Sequence, residues 1–205
     1  SYSDDELISL IKKINIIRPN GVTVVDTYGL LHSNELIHYF DLYDKNLNDD
    51  VILCYHAHNN FQMAYANSIT LMCKDIKRPM IIDGSLFGMG KSAGNACIEL
   101  LAMYMNEYKS KNYDINQIQE AIDSDIQREF QKKTWGYNFE YYISALNDCH
   151  PYYTSYLRDR HSLSVKTINE LLQKIPAEKK LSYDESLIAT LYNKYQENII
   201  DDVAT

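Results

Sequence analysis

No apolar run in this 205-residue chain is long enough to cross a bilayer, and no signal peptide is recognisable. Basic charge is also in short supply. Twenty Lys and Arg stand against 28 Asp and Glu, for a net charge of -8, and the basic residues fall in short pairs such as Lys132-Lys133 and Lys179-Lys180. Without a Lys/Arg stripe to neutralise phosphates, a nucleic-acid surface is excluded. The four cysteines, Cys54, Cys73, Cys97 and Cys149, are scattered with no C-x-x-C pair, which excludes a metal ribbon. Cys54 and Cys97 fall within apolar segments and read as reduced core thiols. A chain of this length buries a core without disulfides. The expectation is a soluble, cytoplasmic protein with neither nucleic acid nor membrane as partner.

What the chain does have is a regular step. Short apolar runs begin at Val22, Val51 and Met80, each 29 residues after the last. Runs apolar at nearly every position are the mark of strands buried on both faces of a parallel sheet. Helical spacing fills the gaps. Leu36, Ile37, Phe40 and Tyr43 form one stripe, with Ser33 placed to cap it. Ala64, Tyr65, Ser68, Leu71 and Met72 form the next, and Ile98, Leu101, Met105 and Tyr108 follow the third run. Ser3-x-x-Glu6 is a capping box ahead of a first helix. From about Asn112 strand signals stop. Asp114 opens a helix through Ile115, Ile118, Ile122 and Ile126, Trp135 begins another, and Ser164 caps a third. The pattern predicts an α/β region over 1–110 followed by an all-helical domain over 111–205.

Polar residues gather where each strand ends: Asp26-Thr27-Tyr28-Gly29, then His56-Ala57-His58-Asn59-Asn60, then Asp83-Gly84-Ser85. In parallel α/β folds that end of the sheet is the site face. Residues two apart on a strand point to the same side, with Cα atoms about 6.5–7 Å apart, so His56 and His58 can lean toward one divalent ion. The alternative is that both cap the strand and bond to backbone. The third loop runs from Gly84 to Asn95. Its Gly90-Lys91-Ser92 is similar to a phosphate-binding loop, but Ser85 stands where that motif needs glycine. A tight turn that lets a helix pack explains the same glycines.

Together, Val25-Asp26-Thr27-Tyr28-Gly29, the His56–Asn60 run with Ala66-Asn67-Ser68, and Asp83-Gly84-Ser85-Leu86 with Gly88-Met89-Gly90 and Ala93-Gly94-Asn95 resemble the pyruvate-aldolase branch of the metallolyase TIM barrels. That HMGL-like superfamily includes the 4-hydroxy-2-oxovalerate aldolases and isopropylmalate synthases. The resemblance implies that residues 1–110 are the last three βα units of a TIM barrel. It implies a divalent metal, Mn2+ or Mg2+, held by His56, His58 and Asn95, with Asp26, Asn59 and Asp83 on the substrate side. The metal would chelate a 2-oxo acid and stabilise the enolate formed as a carbon–carbon bond breaks. Tyr153 is the counterpart of a family tyrosine that assists proton transfer. Partners implied are an aldehyde dehydrogenase, at the helical domain, and further copies of the chain.

Two departures favour the aldolase branch: the glycine loop lacks the lyase cysteine, and Lys91-Ser92 replaces the Glu-Arg of the condensing synthases. A third is larger. The Arg-Asp pair that opens the family barrel, which the resemblance makes the source of an aspartate metal ligand and of an arginine that steadies the enolate, has no match, so the chain is expected to be the C-terminal part of a longer enzyme and inactive alone. A condensing synthase, or a non-catalytic remnant that binds a partner through its tail, are the alternatives.

Overall fold

Helix α1, Asp4–Ile17, starts where the capping box places it. Ser3 N donates to Glu6 Oε2 at 2.8 Å and Glu6 N donates to Ser3 Oγ at 3.4 Å. Asp4, Asp5 and Glu6 crowd its first turn, where the helix dipole favours negative charge. In this computed structural model residues 2–159 and 163–204 are described, and the chain divides into two units, Ser1–Tyr137 and Asn138–Thr205.

In the first unit β1, Gly21–Asp26, β2, Ile52–Ala57, and β3, Met80–Ile82, form a parallel sheet in the order β1-β2-β3. Val25 pairs with His56 and Tyr55 with Ile82. The connections are α2, Ser33–Asn46, and α3, Ala64–Cys73, and α4, Ile98–Tyr108, follows β3. These helices cover one side of the sheet. Leu53, Tyr55 and Ala57 are buried there with Leu36, Phe40 and Leu71, and the Phe40 and Tyr55 rings meet edge to face at 5.7 Å. Each such large side chain contributes about 1.5–3 kcal/mol on burial.

The α/β class and the parallel sheet are those expected. Burial on both faces is not what the structure shows. Thr23, Val25, Cys54, His56 and Ile81 alternate onto the opposite side, and Val25 and Ile81 are each 47% exposed. Among the described residues β1 and β3 each keep one unpaired edge. Closing a barrel takes more strands than these three.

At the far end of the sheet Arg78 is buried. Its Nε donates to Asp44 Oδ1 at 2.7 Å, Nη1 to the carbonyls of Asn48 and Val51, and Nη2 to those of Asp44 and Leu47. All five guanidinium donors are thereby used, which ties the α2 C-terminus to the entries of β2 and β3.

The unit continues through α5, Ile115–Ala121, a π turn, Ile122–Ile126, and α6, Gln127–Lys132. Asp114 caps α5 by accepting from Gln117 N at 3.1 Å, as its position suggests. The boundary expected at 110/111 thus falls inside this unit, and the division comes at 137/138.

The described part of the second unit is helical: α7, Phe139–Leu146, α8, Pro151–Asp159, α9, Val165–Gln173, α10, Ala177–Lys180, and α11, Glu185–Ala204. Its core holds Ile143, Tyr153, Leu157, Ile168, Leu171, Leu172 and Ile188. Ser164 caps α9 through Thr167 N at 3.1 Å. The helix expected from Trp135 begins only at Phe139, because Asn138 takes the cap by accepting from Glu140 N. Among the described residues no helix is long and apolar enough to cross a membrane.

Candidate active site

All the polar strand ends meet at the C-terminal rim of the sheet. His56 belongs to β2 and points to the side opposite the helix-packed core, where its Nδ1 lies 3.5 Å from Asp83 Oδ2 just past β3. The His56 and His58 rings stand 5.1 Å apart between centroids with their planes at 78°. His58 Nδ1 is 3.1 Å from the Asp26 carbonyl oxygen. A carbonyl only accepts, so this nitrogen carries a hydrogen, and in the neutral ring Nε2 is the nitrogen with the lone pair. Orienting a ligating imidazole through the opposite nitrogen is the usual arrangement at metal sites. The Asp26 carbonyl also accepts from Gly29 N and His58 N, which locks the loop after β1 to the end of β2.

Asn95 pairs with His58 through an isolated antiparallel bridge, so the glycine-rich loop returns to the histidine pair. Its Nδ2 donates to the Met89 carbonyl at 2.9 Å, and its Oδ1 is buried with no hydrogen-bond partner. An acceptor in that state is costly unless something approaches it. A Cβ at Gly90 would come within 2.9–3.1 Å of the Asn95 amide, so glycine there leaves the amide its room. Two imidazoles and an orphaned amide oxygen suit a divalent cation of borderline to hard character. Among the described residues no cluster of three His, Cys, Asp or Glu side chains forms a ready site, and the Asn95 amide oxygen is a further donor this chain can offer beside the two imidazoles.

The remaining expected residues are placed differently. Asp26 is 6% exposed, and its two carboxylate oxygens accept from Leu30 N at 3.0 Å and Leu31 N at 3.1 Å. Burial pushes its pKa up, against these hydrogen bonds and the nearby His58. Its side chain organises the β1–α2 loop. Asn59 Oδ1 accepts from Ala64 N at 3.0 Å and its backbone N–H donates to the Gly94 carbonyl at 2.9 Å, so it starts α3 and ties two loops together. Tyr153 lies in the core of the second unit. Its hydroxyl is 2.9 Å from the carbonyls of Lys179 and Ser182 and accepts from Asp184 N at 3.0 Å. Gly90-Lys91-Ser92 is followed by the turn to Asn95, and α4 starts only at Ile98, so the helix a phosphate-binding loop requires is absent from its place.

Two contributors were not singled out from sequence. Asn60 is buried, donates from Nδ2 to the Tyr28 carbonyl at 2.5 Å, and has an unpartnered Oδ1. Ser85 donates to the Met89 carbonyl at 2.7 Å, behind Asn95. Their neighbours Asn59 and Asn95 were visible in the same motifs, but one asparagine looks like another until the backbone is placed.

The HMGL-like family model matches residues 1–124. A 4-hydroxy-2-oxovalerate aldolase of Shewanella pealeana is 25% identical over 144 residues, covering 66% of this chain and 42% of that protein. A 2-isopropylmalate synthase of Staphylococcus aureus is 29% identical over 129 residues, 59% of this chain and 25% of that one. The N-terminal domain of a candidate aldolase from Bacteroides vulgatus superposes with a TM-score of 0.67 at 28% identity, over 80% of this chain and 51% of that one. The chain therefore spans between a quarter and about half of the length of each of these proteins.

Proposed function

This chain belongs to the HMGL-like family, and on that premise we propose that it carries the metal-binding end of an aldolase that cleaves a 4-hydroxy-2-oxo acid to pyruvate and an aldehyde. The observation that carries the reading is the His56–His58 pair, with Asn95, whose Oδ1 is buried and unpartnered, bridged to His58 through the backbone. Nε2 of each histidine and Oδ1 of Asn95 would hold the cation. The chemistry a bound Mn2+ or Mg2+ supplies there is Lewis acidity toward the carboxylate and ketone oxygens of a 2-oxo acid.

The chain's own groups do the positioning. The Asp26 carbonyl keeps the hydrogen of His58 on Nδ1. Asp83 faces Nδ1 of His56 and has the same effect on that ring. Its carboxylate is 42% exposed at the rim and can accept a hydrogen bond from the 4-hydroxyl of the substrate. Asp26 and Asn59 act through the loops they fix, and Tyr153 is given no chemical part. The unpaired edges of β1 and β3 are where further strands or a second copy would associate, and the helical unit is the surface for an aldehyde dehydrogenase.

A condensing synthase is the second reading, favoured by the isopropylmalate synthase relative. It would use the same histidines, and consumption of an acyl-thioester rather than release of pyruvate separates the two. The test is Mn2+ binding by calorimetry, with and without pyruvate, beside an assay of pyruvate release. Binding should be lost in His56→Ala, and pyruvate should tighten it in the unaltered chain. Mn2+ affinity unchanged by His56→Ala would overturn the assignment.

A further inference from the structure

The glycine-rich loop is held from a part of the chain beyond the residues that the family model matches. Phe87, within the 3-10 turn Leu86–Gly88, has φ 53° and ψ 27°, a left-handed conformation that a side chain with a Cβ resists. Three groups impose it. Phe87 N donates to Glu99 Oε2 at 3.0 Å, and Trp135 Nε1 donates to the Phe87 carbonyl at 2.8 Å. The Phe87 ring stands edge-on to Phe130 at 5.3 Å and to Trp135 at 6.4 Å, while Phe130 and Trp135 meet at 4.9 Å. Next to Trp135, Gly136 N donates to the Ser92 carbonyl at 3.2 Å. Local conformations this unfavourable persist where surroundings over-determine them, and they cluster at functional sites.

What the clamp holds is the mount of Asn95. The carbonyl of Gly88, directly after Phe87, accepts from Asn95 N at 3.0 Å, and the carbonyl of Met89 accepts from Asn95 Nδ2 at 2.9 Å. Two consecutive carbonyls therefore fix both the backbone and the amide of Asn95, and their direction follows from the Phe87 turn.

We infer that Trp135, seconded by Phe130, is a positioning residue that aims the unpartnered Asn95 Oδ1 at the cation held by His56 and His58. The inference rests on the reading of Asn95 as a ligand. Trp135 touches neither cation nor substrate. Its indole N–H and ring face set the turn, and the turn sets the amide. As the chain's single tryptophan, it also serves as a fluorescent reporter of that turn.

The experiment compares the 205-residue chain with Trp135→Phe, which keeps a ring and loses the N–H, and Phe130→Leu, which keeps the N–H and loses a ring. Two readouts are taken: the Asn95 side-chain amide resonances in metal-free protein, and Mn2+ affinity by calorimetry. Both variants should shift the Asn95 amide and weaken Mn2+ binding by about 10-fold, the scale seen when a group behind a ligand is removed. A tryptophan with a packing role alone would lower the thermal midpoint and leave both readouts where they were, and that result overturns the inference. If Trp135→Phe fails to fold, Phe130→Leu decides alone. His56→Ala runs alongside. If it leaves Mn2+ binding unaltered the metal reading fails, while the Asn95 amide still reports whether the clamp exists. An amide shift without loss of Mn2+ affinity, where His56→Ala does abolish binding, refutes the role toward the cation.

Discussion

Gly29 sits where the β1–α2 loop crosses the histidine strand, and replacing it with alanine tests how tightly that crossing is built. Its φ is +63°, and an added Cβ would lie 2.6 Å from both the Asn60 nitrogen and the His58 carbonyl oxygen. Both neighbours are backbone and cannot swing aside. Two costs follow. A left-handed residue with a Cβ costs about 1–2 kcal/mol. Forcing packed backbone apart costs about 1–3 kcal/mol more. Gly136 separates them, because its φ of +114° is also unfavourable for alanine but nothing lies within 4 Å of the added atom. Gly136→Ala should lose the conformational part alone. Gly29→Ala should lose roughly 2–5 kcal/mol, a fall in thermal midpoint of roughly 4–20 °C for a unit of this size. Trp135 fluorescence follows the first unit in a melting or urea experiment, and Mn2+ affinity should drop with Gly29→Ala because His58 moves. Equal stability of the two variants would refute the close crossing.

Further outcomes follow from other parts of the chain. Arg78→Met strands Asp44 and four carbonyls at the end of the sheet, so the first unit should lose about 3–5 kcal/mol in urea unfolding while Mn2+ affinity is retained. Tyr153→Phe removes a hydroxyl that serves three backbone groups, and should cost the second unit about 1–3 kcal/mol without altering Mn2+ binding. The Asp184 carboxylate, which accepts from Ser186, Leu187 N and Lys179, is held at a pKa of about 2. A carboxylate lowered in the folded state binds fewer protons there than when unfolded. Its stabilisation is therefore present above its ordinary value of 3.8 and is lost as pH falls toward about 2. An acid titration of the second unit should lose that limb in Asp184→Asn.

The positions of the three strands were legible because their apolar runs are short and evenly stepped, and β3 begins at Met80 as the pattern places it. Caps at Ser3, Asp114 and Ser164 were legible for the same local reason: each side chain needs only its own next turn. Ser33 was misplaced by one residue. Helix α2 takes His32 as its cap, with its N–H on Glu35, which frees the Ser33 hydroxyl to donate to Asn67 Oδ1 at 2.9 Å. What periodicity could not show is which of the two sides of the sheet is covered, since Val25 and Ile81 are as apolar as Val24 and Ile82. Nor could it separate asparagines by role. Asn59 accepts from the first N–H of α3, Asn60 fastens a loop, and Asn95 has a buried oxygen without a partner, and each role is set by backbone outside the motif's local pattern. The part played by Trp135 was hidden by its apolar spacing with Phe139 and Ile143, which reads as a helix until Asn138 interrupts it.

The most direct test of the account is pulsed electron paramagnetic resonance on the Mn2+-loaded chain with 15N-labelled histidine. The unaltered protein should show couplings to two imidazole nitrogens, falling to one in either His56→Ala or His58→Ala. Mn2+ bound with no histidine nitrogen coupling, or with couplings that neither substitution removes, would contradict a shared cation at His56 and His58.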